Sequence, residues 1–264
     1  NLDIEYMDMK NYNTDENVRL FQNLLTYKLS RRGKYDAVIA GDDAALKLVS
    51  STRESLFENT PVVFFCINNI EDAEKAGNTP FMTGAIEETY MKETIETAAR
   101  FQPGAKDIVC IVDNTLTGKG DCQQFFSLRD SFPKYTFSVI NTSECTYDEF
   151  CRRLEHLGEN TILLYMTAFE DKNGNQYTVH ESVKIITQHA HIPVYRCSFG
   201  GVGEGLIGGK MVSYEASGRQ AARMVMDIIN GKNPSDMPVI FEGEGNHCFD
   251  YQVLKKYNIS LSLV

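Results

Sequence analysis

Short polar clusters follow one apolar run after another along this chain. Asp42-Asp43 comes after YDAVIAG and Asn68-Asn69 after PVVFFCI. Asp113-Asn114-Thr115 and Thr117 come after DIVCIV, Thr167 and Phe169 after TILLYM, and Ser198-Phe199 after PVYRC. Their amides, hydroxyls and carboxylates can hydrogen-bond a small guest. Phe169 and Phe199 offer aromatic faces, and Arg196 offers a guanidinium that can clamp a carboxylate. If the apolar runs are parallel strands, the clusters stand beyond strand carboxyl ends, where open α/β sheets bind ligands. A plainer reading stands beside this one. Asp43 can cap the helix beginning at Ala44, and Thr115 or Thr117 the helix over 117–131. Asn68-Asn69 can be turn residues, Phe169 and Phe199 core residues, and Arg196 half of a surface ion pair. Cap and ligand contact are compatible, because a helix N-terminus is itself an anion site.

Motifs for catalysis do not assemble. Gly203–Gly208 has the G-x-G-x-x-G spacing, but the β-like Leu206–Val212 follows where a pyrophosphate-holding helix should start. Gly118-Lys119 is not a phosphate loop, since Asp113 replaces its first glycine and Gly120 its Ser/Thr. His189-Ala190-His191 has no acidic or cysteine partner at zinc spacing. Neither G-x-S-x-G nor HExxH occurs. No acidic pair is made catalytic by spacing alone. The reading is therefore a binding protein with no catalytic residue, metal or cofactor. An enzyme acting on a small metabolite would need a strongly perturbed acid or base beside these loops.

Composition narrows the partners. A chain of 264 residues that is 42% apolar can build a large core or two smaller ones. Its net charge of −10, spread without a like-charge block, argues against nucleic acid and anionic membrane surfaces. Of the seven cysteines, Cys66 and Cys110 lie in strand-like runs and read as core. Cys122, Cys145, Cys151, Cys197 and Cys248 show neither CxxC nor zinc spacing, and no disulfide pairing is legible. No apolar run has the length of a membrane span. The chain starts at Asn1 and reads as a fragment or processed form, so the lack of a targeting segment carries no weight.

Strands alternate with helices. Strands are expected at Leu2–Met7, Tyr35–Ala40, Pro61–Ile67, Phe81–Ile86, Asp107–Val112, Tyr135–Ile140, Thr161–Met166, Pro193–Cys197 and Leu206–Val212. Helices are expected at 15–30, capped by Thr14 with Val18, Phe21, Leu24, Leu25 and Leu29 on one face, and at 44–57, near Ala73, 88–101, 117–131, 147–157 and 180–190. A last long helix runs from Ser217, its N-cap, to Asn230, with Ala221, Ala222, Val225, Met226, Ile228 and Ile229 inward and Gly231 as the stop. This alternation implies mainly parallel sheets with right-handed crossovers. The two series join near Gln102-Pro103-Gly104 and cross again at Gly200–Gly203. The tail 238–264 holds two short strands and a helix, expected to return to the second series.

The run GLIGGKMVSYEASGRQAARMVMDIINGKNPSD, with the later FDYQVLKKYNI, resembles the C-terminal third of the type I periplasmic-binding-protein family, in the tryptophan/tyrosine ABC-transporter branch. The segments IEYMDMK, YDAVIAGDDAAL, PVVFFCINN, IVDNTLTG and MTAFEDKNG are most similar to extracytoplasmic sensor domains that precede histidine kinases or diguanylate cyclases. The resemblance implies two Rossmann-like α/β lobes joined by a hinge, with residues 1–103 and 206–236 in lobe one and 104–205 and 237–264 in lobe two. It also implies that a first βα unit ahead of IEYMDMK is missing from lobe one. The ligand would sit between the lobes, on Asp42, Asp43, Asn68, Asn69, Asn114, Thr115, Thr117, Thr167, Phe169, Arg196, Ser198 and Phe199. The implied function is a small-molecule sensor domain of a bacterial signalling protein, acting by lobe closure. It would be extracytoplasmic, tethered to the membrane only through segments outside this chain, and capable of homodimerising. The alternative is the solute-binding protein of an ABC importer, with an amino-acid-like or other small-metabolite ligand.

Overall fold

The computed structural model describes residues 2–242 and 245–263 and divides the chain into two compact units. Unit 1 comprises Asn1–Glu87 and Tyr214–Gly243, and unit 2 Glu88–Ser213 and Glu244–Val264. Unit 1 begins with α1 (Asp15–Arg32), β1 (Val38–Gly41), α2 (Asp43–Ser51), α3 (Arg53–Leu56), β2 (Val62–Ile67), α4 (Ile70–Gly77) and β3 (Met82–Glu87). Unit 2 continues with α5 (Met91–Phe101), β4 (Asp107–Val112), α6 (Leu116–Ser127), β5 (Thr136–Asn141), α7 (Tyr147–Glu155), β6 (Thr161–Tyr165), α8 (Val179–His189), β7 (Val194–Tyr195) and β8 (Gly208–Val212). The chain then returns to unit 1 for α9 (Tyr214–Ile229) and β9 (Ile240–Glu242), and closes in unit 2 with β10 (Gly245–Phe249) and α10 (Tyr251–Lys256).

In unit 1 the described strands form one parallel sheet, ordered β1-β2-β3-β9. The run VVFFCI is apolar on both faces because helices cover both. On one face Leu46, Val49, Phe64, Met82 and Ile86 share a core with Ala73 and Ala76 of α4. On the other, Val63 packs with Ala221, Met224 and Ile228 of α9. In unit 2 the order is β10-β8-β7-β6-β4-β5, parallel except for β10, which runs antiparallel to β8. Its faces carry separate cores, one built on α5 and Phe125 of α6, the other on Phe150 and Leu154 of α7 and Val183 and Ile186 of α8.

The unit boundaries differ from the sequence expectation. Gln102 lies inside unit 2, not at a crossing: its side-chain amide donates to the Thr161 carbonyl at 3.1 Å and its oxygen accepts from the Tyr195 hydroxyl at 2.9 Å. Met91, Ile95, Ala98 and Phe101 of α5 share a core with Ile108 and Ile162. β8 belongs to unit 2 because it pairs with β7 and β10, and β9 to unit 1 because it pairs with β3. The chain therefore passes between units at 87–88 and 213–214, and again between the two tail strands.

Several local expectations change as well. Residues 2–7 form no strand, since no neighbouring segment offers them a ladder. Leu2, Ile4 and Tyr6 are exposed, while Glu5 pairs with Lys28 at 2.6 Å and Asp3 with Arg32. Thr14 caps α1, but Leu24 is exposed and only Val18, Phe21, Leu25 and Leu29 of the expected face are half-buried. The single helix expected over 44–57 is interrupted at Thr52, whose hydroxyl bonds the Leu48 carbonyl at 2.7 Å. In α9 the inward residues are Ser217, Ala221, Met224 and Ile228, with Met226 and Ile229 exposed. Ser217 is a buried first-turn residue, not the cap. Gly231, at φ +102°, does follow the helix end as expected.

Close approach of β2 to β3 needs a glycine. A Cβ on Gly84 would stand 2.2 Å from the Phe64 carbonyl oxygen and 2.5 Å from its ring. Gly84→Ala is expected to cost about 1–3 kcal/mol, as overpacked cores do. A lowered thermal midpoint for unit 1 checks this, and an unchanged midpoint would refute the packing described.

Candidate functional site

The loops selected by the strand-end rule gather at the carboxyl ends of the strands, separately in each unit. In unit 1, Asp42 is the N-cap of α2, with φ +82° and its carboxylate accepting from the Asp43 amide at 2.7 Å. It also meets Lys10 at 3.4 Å. Asp43, expected either as a cap or as a ligand contact, is not the cap but the first helical residue. Its side chain turns inward and is buried, with Oδ1 accepting from the backbone amides of Asn68 at 3.1 Å and Asn69 at 3.0 Å. Asn69 is the N-cap of α4, accepting from the Asp72 amide at 3.0 Å. Asn68 is buried beside Glu87 and acts to lower its carboxyl.

Glu87 completes this cluster and escaped the sequence reading. It ends β3 and is buried. Burial first, then the charges of Asp42 and Asp43, push its carboxyl up to about 7, against hydrogen bonds from Cys66 and Asn68. Cys66 was read as plain core, yet it is half-buried and left-handed at φ +55°, where β2 and β3 slip register. Its thiol lies beside Glu87 and Ser217, and burial and the Glu87 charge push it upward. The strand-end rule, applied to the expected strand Phe81–Ile86, would have selected Glu87. Nothing in the sequence marked Cys66 or Ser217.

In unit 2, Asp113 is the organising residue. It is 1% exposed, and its Oδ1 accepts from both the amide (3.0 Å) and the hydroxyl of Thr115. Its Oδ2 accepts from the Phe169 amide at 2.8 Å, and its own amide donates to the Thr167 hydroxyl at 3.2 Å. Thr115 caps α6 through the Gly118 amide at 3.1 Å, and Thr117 lies half-buried in the first turn. Asn114 is exposed and held on β5's loop, donating its amide to Ser143 and accepting from the Asn141 side chain at 2.9 Å. Phe169 is half-buried, Ser198 half-buried and Phe199 77% exposed, so Phe199 is not a core residue.

Arg196 is not a surface ion-pair residue. It is 3% exposed and its guanidinium lies over the Tyr165 ring, 4.1 Å from the centroid. It donates to the carbonyls of Met166 and Phe199, each at 3.3 Å. Among the described residues no carboxylate pairs with it. The Tyr165 hydroxyl, fully buried beside it, has no hydrogen-bond partner within the geometric limits of such a bond.

The remaining motifs add no site. His189 pairs with Glu155 at 2.7 Å, and no described group of His, Cys, Asp or Glu is arranged to hold a metal ion. The seven cysteines are free thiols. Gly203–Gly208 leads into strand β8, so no helix N-terminus follows it. A cavity of about 220 Å³ lies in unit 1 at the opposite strand ends, lined by Tyr35, Phe57 and Thr60, away from the unit 1 cluster.

The two units, each a mainly parallel sheet covered by helices, have the fold of type I periplasmic-binding-protein-like structures. The ABC transporter substrate binding protein family matches residues 2–262, and the chain belongs to that family. No curated protein matches the sequence. Among solved structures, an ABC domain in complex with L-Trp from Streptococcus pneumonia is similar at TM-score 0.69 and 13% identity, over 93% of this chain and 82% of that one. CD0873, a substrate binding protein with adhesive properties from Clostridium difficile, is similar at TM-score 0.69 and 18% identity, over 92% and 80%. An ABC transporter solute binding protein from Agrobacterium vitis with bound allitol gives TM-score 0.57 and 12% identity, over 96% and 94%. The matching family is one of substrate-binding proteins.

Two predictions follow from this geometry. A Cβ on Gly118 would stand 2.2 Å from Asp113 Oδ1 and 2.8 Å from the Thr167 hydroxyl. Gly118→Ala should therefore displace the Asp113 brace and lower the unit 2 unfolding midpoint. Hydrogen exchange that leaves the Phe169 amide as protected as in wild type would contradict this. For Glu87, the folded value of about 7 lies above the ordinary 4.5. Its stabilisation is present below about pH 4.5 and is lost as pH rises through about 7. Glu87→Gln removes a penalty on the order of 3 kcal/mol at high pH. Its melting temperature relative to wild type should rise from pH 5 to pH 8, and a flat difference would refute the assignment.

Proposed function

We propose that the chain captures a small anionic metabolite of amino-acid size outside the cytoplasmic membrane, and that Arg196 holds the solute's carboxylate. The observation that carries this reading is a buried guanidinium with carbonyls and an aromatic ring as partners but no described counter-ion. A guanidinium has more N–H donors than those two carbonyls use, and its planar fork suits a carboxylate. Membership of a substrate-binding family and the L-Trp held by a structural neighbour support the solute class.

In this reading Asp113, Thr115, Thr167 and Phe169 hold the neighbouring loops in shape, and Asn114, Thr117, Ser198 and Phe199 line the rim. Two uses of the captured solute are supported by different observations. The family description favours delivery to an ABC importer. The segments similar to extracytoplasmic sensor domains favour an input domain, whose occupancy would shift a two-state equilibrium in a signalling protein. Deleting the gene and following both solute uptake and solute-induced transcription separates these uses.

Binding itself is tested by a thermal-shift screen against amino acids and small organic acids, 3-phenylpropionate included. A true ligand raises the melting temperature in a concentration-dependent way. Arg196→Gln should weaken the best acid at least tenfold, the scale of a lost charge-assisted hydrogen bond. If no acid shifts the wild type, or the variant binds as well, the reading fails.

A further inference from the structure

At the strand ends of unit 1, buried acid is left without enough donors. Asp43 is 5% exposed, and while its Oδ1 takes the Asn68 and Asn69 amides, its Oδ2 is buried with no hydrogen-bond partner. Glu87 is 7% exposed and feels the charges of both Asp42 and Asp43. The groups facing Glu87 are Cys66 of β2, Asn68 of the following loop, and Asp42 and Asp43 at the head of α2; Ser217 of α9 reaches Cys66. Glu242 is its register partner on β9. The nearby cation is Lys10, whose ammonium meets Asp42, the most exposed of these acids.

We infer that this end of unit 1 binds the primary ammonium group of a small solute, with Asp43 Oδ2 and the Glu87 carboxylate as its acceptors. A buried carboxylate oxygen without a donor is costly. An ammonium brings both charge and several donors in a compact head. The chain itself already sets an ammonium on this cluster through Lys10. A metal ion is a poorer occupant, because the described acids do not converge in a metal-holding arrangement. A neutral polyol would satisfy the oxygen but leave the like charges of Asp43 and Glu87 unrelieved. The inference rests on the solute-binding reading of the chain but not on Arg196.

An arriving ammonium favours ionised Glu87, so binding expels the proton that Glu87 holds near neutral pH. Amine affinity should then rise about tenfold between pH 6 and pH 8. The whole chain is titrated, by thermal shift and calorimetry, with 2-phenylethylamine and putrescine. The neutral isosteres 2-phenylethanol and 1,4-butanediol, the acid 3-phenylpropionate and calcium chloride run beside them. The amines should raise the melting temperature and their neutral isosteres should not. Asp43→Asn keeps an acceptor for the Asn68 and Asn69 amides yet should weaken the amines at least tenfold, with 3-phenylpropionate unaffected. Glu87→Gln should weaken the amines and flatten their pH dependence. It carries the test if Asp43→Asn does not fold.

Amines that bind no better than their alcohols overturn the inference. So does amine affinity unchanged in both variants, or a thermal shift from calcium in place of the amines. If 3-phenylpropionate binds and the amines do not, this inference alone falls. If no acid or amine binds, the solute-binding reading falls with it.

Discussion

In each unit one buried aspartate, at the turn from strand to helix, ties its own loop to the loop after a neighbouring strand. Asp43 takes the amides of Asn68 and Asn69 after β2, and Asp113 takes the amide of Phe169 after β6. A parallel strand that ends at a turn leaves backbone N–H groups which must find partners. A carboxylate that accepts two or three of them is the most economical way to fix two loops at once. Without that constraint the polar clusters would be separate loops with no defined spacing. With it, the loops of each cluster are held at a fixed spacing.

The two braces differ in completeness, and the difference sets the chemistry of each rim. Both oxygens of Asp113 have donors, so its charge is used up internally. The unspent group in unit 2 is cationic, Arg196 over Tyr165. Asp43 spends one oxygen and keeps the other, and Glu87 adds a second buried acid. The unpaired charge at the strand ends is thus positive in one unit and negative in the other. Buried unpaired charge is expensive, and Glu87 meets part of that cost by holding its proton up to about pH 7.

Much of this was legible from residue order. DIVCIV and TILLYM are unbroken apolar runs after their polar first residues, Asp107 and Thr161, and they became central strands of unit 2 within a residue of their expected ends. The parallel two-unit architecture followed from strand–helix alternation, and with it the position of the polar clusters at strand carboxyl ends. The unit boundaries were not legible. Gln102-Pro103-Gly104 has the composition of a linker, but what holds Gln102 is a pair of side-chain bonds to Thr161 and Tyr195, distant in sequence. Leu2–Met7 alternates like a strand, yet alternation reports which faces are apolar, not whether a partner strand exists. Met224 replaced Met226 on the buried face of α9 because the helix begins at Tyr214 rather than at Ser217. Arg196 carried no signal of its burial, since the cation–π contact with Tyr165 joins two strands.

The raised carboxyl of Glu87 is the perturbed acid that an enzyme would require, so its surroundings decide between binding and turnover. General acid–base work needs a reacting partner within reach and a nucleophile in its reactive form. Among the described residues, the nucleophilic side chain beside Glu87 is the Cys66 thiol. Burial and the Glu87 charge push that thiol upward, away from the thiolate. Asp42 and Asp43 reinforce the same negative field and so disfavour a second anion beside Glu87. A field of that sign stabilises a cation that arrives already charged, and it opposes the developing negative charge of most addition and transfer reactions. On the proposed reading, Glu87 exchanges its proton for a guest's charge, a binding event, rather than donating that proton to a leaving group.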